Sequence, residues 1–189
     1  MADVRSVRAL IGGVGYPDLS DHSLSWAVVS ALEARTLPGG VVVEDVSYNP
    51  VAVAQRLDDE PADDPFALMV IVSAVSRGRP AGTVTAYRWD GVLPPDDEIQ
   101  RSVTDAVTGI IFLDNTLVVT RHLRSLPADV AVVEVEPLVE AFAAPMSPPV
   151  ADALTRVCDL AVRCASDASY LATLPMCGLG GPRVEVAHG

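Results

Sequence analysis

An aspartate and a histidine stand side by side at residues 21 and 22, directly before an amphipathic stretch that begins at Ser23. They follow an apolar run and a glycine-bearing turn, GGVGY at residues 12–16. A carboxylate and an imidazole in such a loop are the groups that hold a transition metal or move a proton. An Asp or Ser before a helix also caps it, because its oxygen accepts hydrogen bonds from the unpaired N–H groups of the first turn. The local sequence favours the cap.

The other chemistry-bearing residues favour structural roles. Cys158 and Cys164 are six positions apart, about 600° of helical rotation, so on one helix they point to different faces. Cys177 has no basic neighbour that would lower the pKa of its thiol. The acidic run at 58–65 lacks the spacing of a calcium-binding loop. The glycine-bearing turn matches neither the dinucleotide-binding fingerprint nor a phosphate-binding loop with its lysine.

The composition limits what the protein can bind. Twenty-five acidic residues against 13 basic ones give a formal net charge of −12. Nucleic acid and anionic membranes attract clustered basic residues, so we expect neither as a partner. No apolar run reaches the roughly 18 residues of a membrane span, and the short apolar run near the start does not predict a signal peptide. Three sparse cysteines are typical of a reducing compartment, and we expect a cytoplasmic protein.

Alternating apolar and amphipathic segments predict an α/β fold. Strands are predicted at 7–14, 41–46, 66–75, 83–89 and 128–137, with helices at 23–34, 50–57, 96–117 (interrupted at Gly109) and from Ser147. Apolar strands between helices indicate three layers, α/β/α, around a twisted, mainly parallel, five-stranded sheet. The turn at 77–82 allows the third and fourth strands to pair antiparallel, at one edge. We expect one domain over residues 1–172 and a loosely ordered tail over 173–189.

Five segments follow one another in an order that resembles a known enzyme family. They are IGGVGYPDLSDHSLSWAVVSALE, VIVSAVSRGRPAGTVTAY, GIIFLDNTL, LPADVAVVEVEP and APMSPPVADAL, within residues 7–165. The series is similar to the hydrogenase maturation proteases, nickel-dependent endopeptidases that trim the C-terminus of the NiFe-hydrogenase large subunit. The resemblance implies a mainly parallel sheet between helices. It also implies a large subunit, or another maturation factor, as partner.

The sequence departs from this family at the positions that would hold a metal. The family uses a carboxylate before the first helix, an aspartate that ends the third strand, and a histidine that opens the H-x-L-x-L segment. This sequence has His22, Ser73 and Gly109 at those positions. Serine is a poor neutral ligand and glycine has no side chain to offer. Nickel or zinc would therefore depend on His22 and, more weakly, on Asp21, and we expect no resident cofactor.

Two further departures lie in the neighbouring turns. Tyr16 replaces the asparagine that the family places after its first strand, and DVSY at 45–48 replaces a D-G-G-T turn. By this resemblance Tyr16 and Ser47 are expected to line the pocket.

Three hypotheses for the function follow. The first is a non-catalytic relative, a pseudoenzyme that binds a NiFe-hydrogenase large subunit or a maturation factor as a chaperone or scaffold. The second is an active endopeptidase with a rearranged site, in which Asp21, His22 and Ser73 are the catalytic candidates. The third is a module unrelated to hydrogenases, whose pocket near Tyr16, His22 and Ser73 holds a small ligand or peptide.

Overall fold

The structure, a computed structural model, describes residues 8–182. The strands of its sheet are β1 (Ala9–Val14), β2 (Val41–Asp45), β3 (Leu68–Ala74), β4 (Val84–Trp89), β5 (Asp129–Val135) and β6 (Met176–Cys177). The helices are α1 (Leu24–Glu33), α2 (Pro50–Asp58), α3 (Asp96–Val107), α4 (Leu113–His122), α5 (Pro148–Ser166) and α6 (Ala168–Thr173). A single turn of 3₁₀ helix, Ser20–Ser23, precedes α1.

Within residues 8–182 the sheet is mostly parallel, as predicted, but it has six strands in the order β2-β1-β3-β5-β4-β6. The prediction of five strands is therefore wrong. β6 is only two residues long, too short for any periodicity to reveal it, and it forms because the carbonyls of Pro175 and Cys177 accept hydrogen bonds from the end of β4 and the residue after it. Arg88 N donates to Pro175 O at 2.9 Å, and Asp90 N donates to Cys177 O at 3.0 Å.

The antiparallel pair involves a different partner from the one that the turn at 77–82 suggested. β4 pairs with β5, which lies between β3 and β4 in the sheet. β4 is not an edge strand either, because β6 pairs with its other side. β4 follows β3 in sequence but does not pair with it, because the parallel strand β5 lies between them.

Helices cover both faces of the sheet. On one face Ile11 and Val72 pack against Val28 of α1 and Val157 of α5. On the other face the core includes side chains from β1, β3, α2 and α4, among them Leu10, Ile71, Val53 and Leu117. All seven residues of β3 are buried, as expected for a strand covered on both sides. The arrangement is consistent with the predicted three layers.

Gly109 interrupts the predicted helix at 96–117. Its φ of +85° places it in the left-handed region, where glycine is favoured. α3 ends at Val107 and α4 begins at Leu113. The connecting residues run past the carboxyl ends of β1 and β3.

Part of the predicted tail has a defined place. Residues 173–182 include β6, while residues 183–189 lie outside the described residues, so the boundary at residue 172 stays a prediction. Across residues 8–182, no helix is long and apolar enough to cross a membrane.

Candidate functional site

A pocket of about 350 Å³ opens at the carboxyl ends of β1 and β3. Ligands of doubly wound α/β folds bind at this edge of the sheet. The lining is mostly apolar, and it comes from the ends of the two strands, the 3₁₀ turn and the loop before α4: Val14, Gly15, Tyr16, Leu19, His22, Ser73, Ala74, Val75, Ser76, Ile110, Ile111, Phe112 and Glu140. The structure therefore brings together Tyr16, His22 and Ser73, three of the predicted site residues.

His22 contributes the imidazole of the pocket. Its side chain is 19% exposed, and its Nε2 is buried without a hydrogen-bond partner among residues 8–182. Glu140 Oε2 lies 3.8 Å from Nε2, too far for a hydrogen bond. Buried polar atoms are almost always satisfied, so an orphaned ring nitrogen beside a pocket indicates a place for a ligand or water.

Tyr16 and Ser73 are held by backbone groups. The Tyr16 hydroxyl accepts a hydrogen bond from Ile111 N at 2.8 Å, which ties the loop before α4 to the end of β1. The Ser73 hydroxyl donates to Val14 O at 2.8 Å and is buried between the two strands. Both side chains shape the pocket. The hydrogen of Ser73 Oγ is directed to a backbone carbonyl, and no hydrogen bond joins Ser73 to His22.

Asp21 lies outside the pocket, although it adjoins His22 in sequence. Its carboxylate is fully buried and accepts hydrogen bonds from Leu138 N, Val139 N, Ser147 N and Ser147 Oγ, at 2.7, 2.8, 2.6 and 2.9 Å. Burial raises the pKa of Asp21, but these hydrogen bonds outweigh it, so the pKa lies below its ordinary value. Asp21 therefore does not cap α1, and its oxygens are not free to bind a metal in this geometry. It holds the loop between β5 and α5, where Ser147 is the N-cap residue of α5.

Ser47 and Gly109 are also outside the pocket. The Ser47 hydroxyl donates to Gly13 O at 3.1 Å and accepts from Gly15 N at 3.0 Å, so it braces the chain where β1 ends. A Cβ atom at Gly109 would have no heavy atom within 4 Å. The position that the resemblance equates with a metal-binding histidine is thus an open, exposed turn.

The side chains present do not fit a three-ligand metal site. In the described part of the chain, no three His, Cys, Asp or Glu residues are close enough together to hold a metal ion. A metal at the pocket would meet the His22 imidazole and the exposed Glu140 carboxylate. Zinc sites in proteins have at least three protein ligands, and the hydrogen bonds of Asp21 and Ser73 already occupy those groups.

Sequence reasoning missed the apolar rim of the pocket. We use this name for Ile110, Phe112 and Phe142, which are 48%, 43% and 80% exposed. Ile110 and Phe112 line the pocket, and Phe142 forms a β-bridge with the lining residue Leu19. The sequence contains a signal for this rim, since three large apolar residues, Ile-Ile-Phe, directly follow Gly109 where the helix ends. Large apolar side chains exposed beside a concave pocket are typical of a contact site for another molecule.

Solved structures share this architecture. HybD, a hydrogenase maturating endopeptidase from Escherichia coli, superposes with a TM-score of 0.59 over 81% of this chain and 88% of its own, at 20% identity. The chain has the fold of the hydrogenase maturation endopeptidases. A hydrogenase 2 maturation peptidase from Thaumarchaeota archaeon SCGC_AB-539-E09 has a TM-score of 0.58 at 20% identity, covering 82% of this chain and 96% of its own. A further Escherichia coli endopeptidase reaches 0.60 at 21% identity, covering 89% and 95%.

The comparison confirms the resemblance at the level of the fold. No protein-family model matches the sequence, and no curated protein matches it either. With about one identical residue in five, the match to hydrogenase maturation endopeptidases shows that the backbone fold is shared. The chemistry of the site depends on the residues of this chain.

Proposed function

We propose that this chain acts in NiFe-hydrogenase assembly as a binding or scaffold protein, which holds a large subunit or another maturation factor without cleaving it. One observation carries the proposal. The pocket at the carboxyl edge presents one imidazole, His22, among mostly apolar neighbours and beside an exposed apolar rim. The fold shared with hydrogenase maturation endopeptidases supports this choice of partner.

The rim favours binding of a polypeptide. Phe142 is 80% exposed, and Phe112 and Ile110 stand at the mouth of the same pocket. Aromatic side chains at the centre of an interface contribute a large share of its binding free energy. A partner segment with an apolar side chain would fill the pocket and cover the rim, next to the unpartnered His22 Nε2.

Two of the three candidate catalytic groups, Ser73 and Asp21, are already engaged in hydrogen bonds, which favours binding over peptide hydrolysis. Activating water or a hydroxyl needs a metal with open coordination or a base next to the nucleophile. The Ser73 hydroxyl donates to a backbone carbonyl, and the Asp21 carboxylate is occupied by the β5–α5 loop. The unpartnered His22 Nε2 is the observation that favours the alternative, an endopeptidase with a rearranged site.

The test is a binding and cleavage assay with purified large subunit. The wild-type protein is mixed with the unprocessed and the processed subunit, and affinity is measured by biolayer interferometry while mass spectrometry follows the subunit. We expect binding to at least one form with no change of mass. Phe112→Ser/Phe142→Ser should weaken the affinity by about tenfold or more.

A matched control separates the rim from general surface effects. Leu123→Ser removes an apolar residue of similar exposure at the other end of α4 and should leave the affinity unchanged. Cleavage that disappears in His22→Ala would overturn the proposal in favour of the endopeptidase. Absence of binding to either form would overturn it in favour of a module unrelated to hydrogenases.

A further inference from the structure

A second, basic pocket lies at the far end of α4. It has a volume of about 490 Å³ and is lined by Leu93, Arg121, His122 and Arg124. α4 has ten residues and is therefore about 15 Å long, and its start adjoins the pocket of His22. Because β4 runs antiparallel to β5, the loop after β4 lies at the opposite edge of the sheet from the candidate site, beside this basic pocket.

The charge in this pocket is unusual for the chain. The net charge is −12 and the sequence contains no lysine, so every fixed positive side chain is an arginine. Most arginines of the described chain have a carboxylate oxygen within 4.0 Å. Between residues 8 and 182 the arginines without one are Arg121, Arg124 and Arg156. Two of these three line the same pocket, with His122 between them in sequence.

Arg121 is held in place with free donors. Its Nε donates to Gly91 O at 3.3 Å, and a Cβ at Gly91 would lie 3.1 Å from its Nη2. The guanidinium therefore rests against the glycine backbone of the loop after β4, and Gly91 has a φ of +69° there. In the part of the chain that the structure describes, neither Nη1 nor Nη2 makes a hydrogen bond. A guanidinium that is held in place and has unused N–H groups can donate hydrogen bonds to an anion.

The helix dipole explains only part of the cluster. Cations in the last turn of α4 interact favourably with its C-terminal carbonyls, which accounts for Arg121 and His122 near that end. Arg124 lies beyond the helix, in the left-handed region at a φ of +66°, an uncommon conformation for arginine. Two acids lie nearby: Asp90 Oδ1 accepts from Val92 N, and Asp96 lines the adjoining pocket.

We propose that Arg121, Arg124 and His122 form a binding site for the phosphate group of a small molecule. A carboxylate is satisfied by one bidentate guanidinium, whereas a phosphate has more oxygens and charge and takes donors from several side chains. The adjoining pocket has a volume of about 570 Å³ and shares His122. It is also lined by Asp96, Ile99, Gln100, Val103 and Thr104, a mixed polar and apolar surface with room for the rest of a phosphate ester.

The test is isothermal titration calorimetry with inorganic pyrophosphate as the probe, at constant ionic strength. We expect saturable binding at one site in the wild type. Arg121→Gln/Arg124→Gln should weaken it by about tenfold or more, because each charge-assisted hydrogen bond contributes more than an ordinary one. Arg124 is exposed, so Arg124→Gln alone tests the site without risk to folding, and it should weaken binding severalfold.

A charge-matched control variant is available. Arg101→Gln/Arg156→Gln removes two positive charges elsewhere on the surface and should leave the affinity within about twofold of wild type. The proposal is overturned by absence of saturable binding in the wild type, or by equal weakening in the two double variants. Citrate that binds as tightly as pyrophosphate would also overturn it, because the site would then recognise carboxylates.

Discussion

At the scale of single residues, the neighbours Asp21 and His22 have separate tasks. Asp21 is turned inward and its oxygens accept hydrogen bonds from residues 138–147. His22 is turned to the pocket, where its Nε2 has no protein partner among the described residues. The pair that could have formed a single catalytic or metal-binding unit is one structural carboxylate beside one imidazole that lines a pocket.

Asp21→Asn should lower the free energy of unfolding at pH 7 by about 3 kcal/mol, because an amide cannot accept all four hydrogen bonds and places its own NH₂ against a donor. The pKa of Asp21 is lowered in the folded state. Its stabilisation is therefore complete above the unfolded pKa, near 3.9, and is lost as the pH falls through the folded pKa. Urea unfolding at pH 7 and at lower pH should show the two proteins converging in acid.

Asp18→Asn is the control, because the Asp18 side chain is exposed and makes no hydrogen bond among the described residues. Its free energy of unfolding should stay within about 0.5 kcal/mol of wild type. A difference between wild type and Asp21→Asn that does not shrink in acid would contradict the assigned role of the carboxylate.

At the scale of elements, the joint between β1 and α1 depends on glycine. A Cβ at Gly13 would lie 2.9 Å from Ser25 O, and a Cβ at Gly15 would lie 2.3 Å from His22 O. The start of α1 thus rests directly on the end of β1. This close approach places the 3₁₀ turn, and with it His22, over the carboxyl edge of the sheet.

Gly15→Ala should destabilise the protein by more than about 2 kcal/mol, since the clash is with backbone and the chain must shift. In a domain of this size the melting temperature should fall by about 4 °C or more, measured by circular dichroism. Gly178→Ala is the control, because its Cβ would meet nothing nearer than Asp90 Oδ2 at 3.5 Å. Equal melting temperatures for the two variants would show that β1 and α1 have room to separate.

At the scale of the whole molecule, one buried carboxylate links distant segments. Glu134 of β5 is fully buried and accepts hydrogen bonds from Arg77, Arg79 and the Tyr87 hydroxyl. Arg77 also pairs with Asp114 of α4, and Arg79 Nη2 donates to a carbonyl beyond β6. Burial and the adjacent Glu134 carboxylate raise the pKa of Tyr87, which stays a neutral donor. The cluster joins the sheet, α4 and the segment after β6.

Glu134→Gln should lower the free energy of unfolding by about 3 kcal/mol, because Arg77 and Arg79, which are largely shielded from solvent, lose their shared counter-charge. Hydrogen exchange should accelerate in β6 before it does in β3, since the Arg79 contact is released. Glu33→Gln, on the exposed side of α1, is the control and should be neutral. Unchanged exchange at Met176–Cys177 would contradict the link to this segment.

The local sequence was sufficient for most of the fold. Strands β1 to β5, helices α1 to α5 and the break at Gly109 follow from hydrophobic periodicity and backbone preference, which are properties of neighbouring residues. Ser147 was correctly placed at the start of α5, although its hydroxyl serves Asp21 and not its own helix. The predominance of parallel strands followed from their continuous apolar character.

By itself, then, the sequence determined the order and type of the main elements and the resemblance to one fold. Only the tertiary structure decided that β6 pairs with β4, that Asp21 is a structural carboxylate and that His22 alone of the pair faces the pocket. The physical reason is sequence separation. Asp21 meets its donors 117 to 126 positions away, and no local periodicity records which distant N–H group a carboxylate will accept.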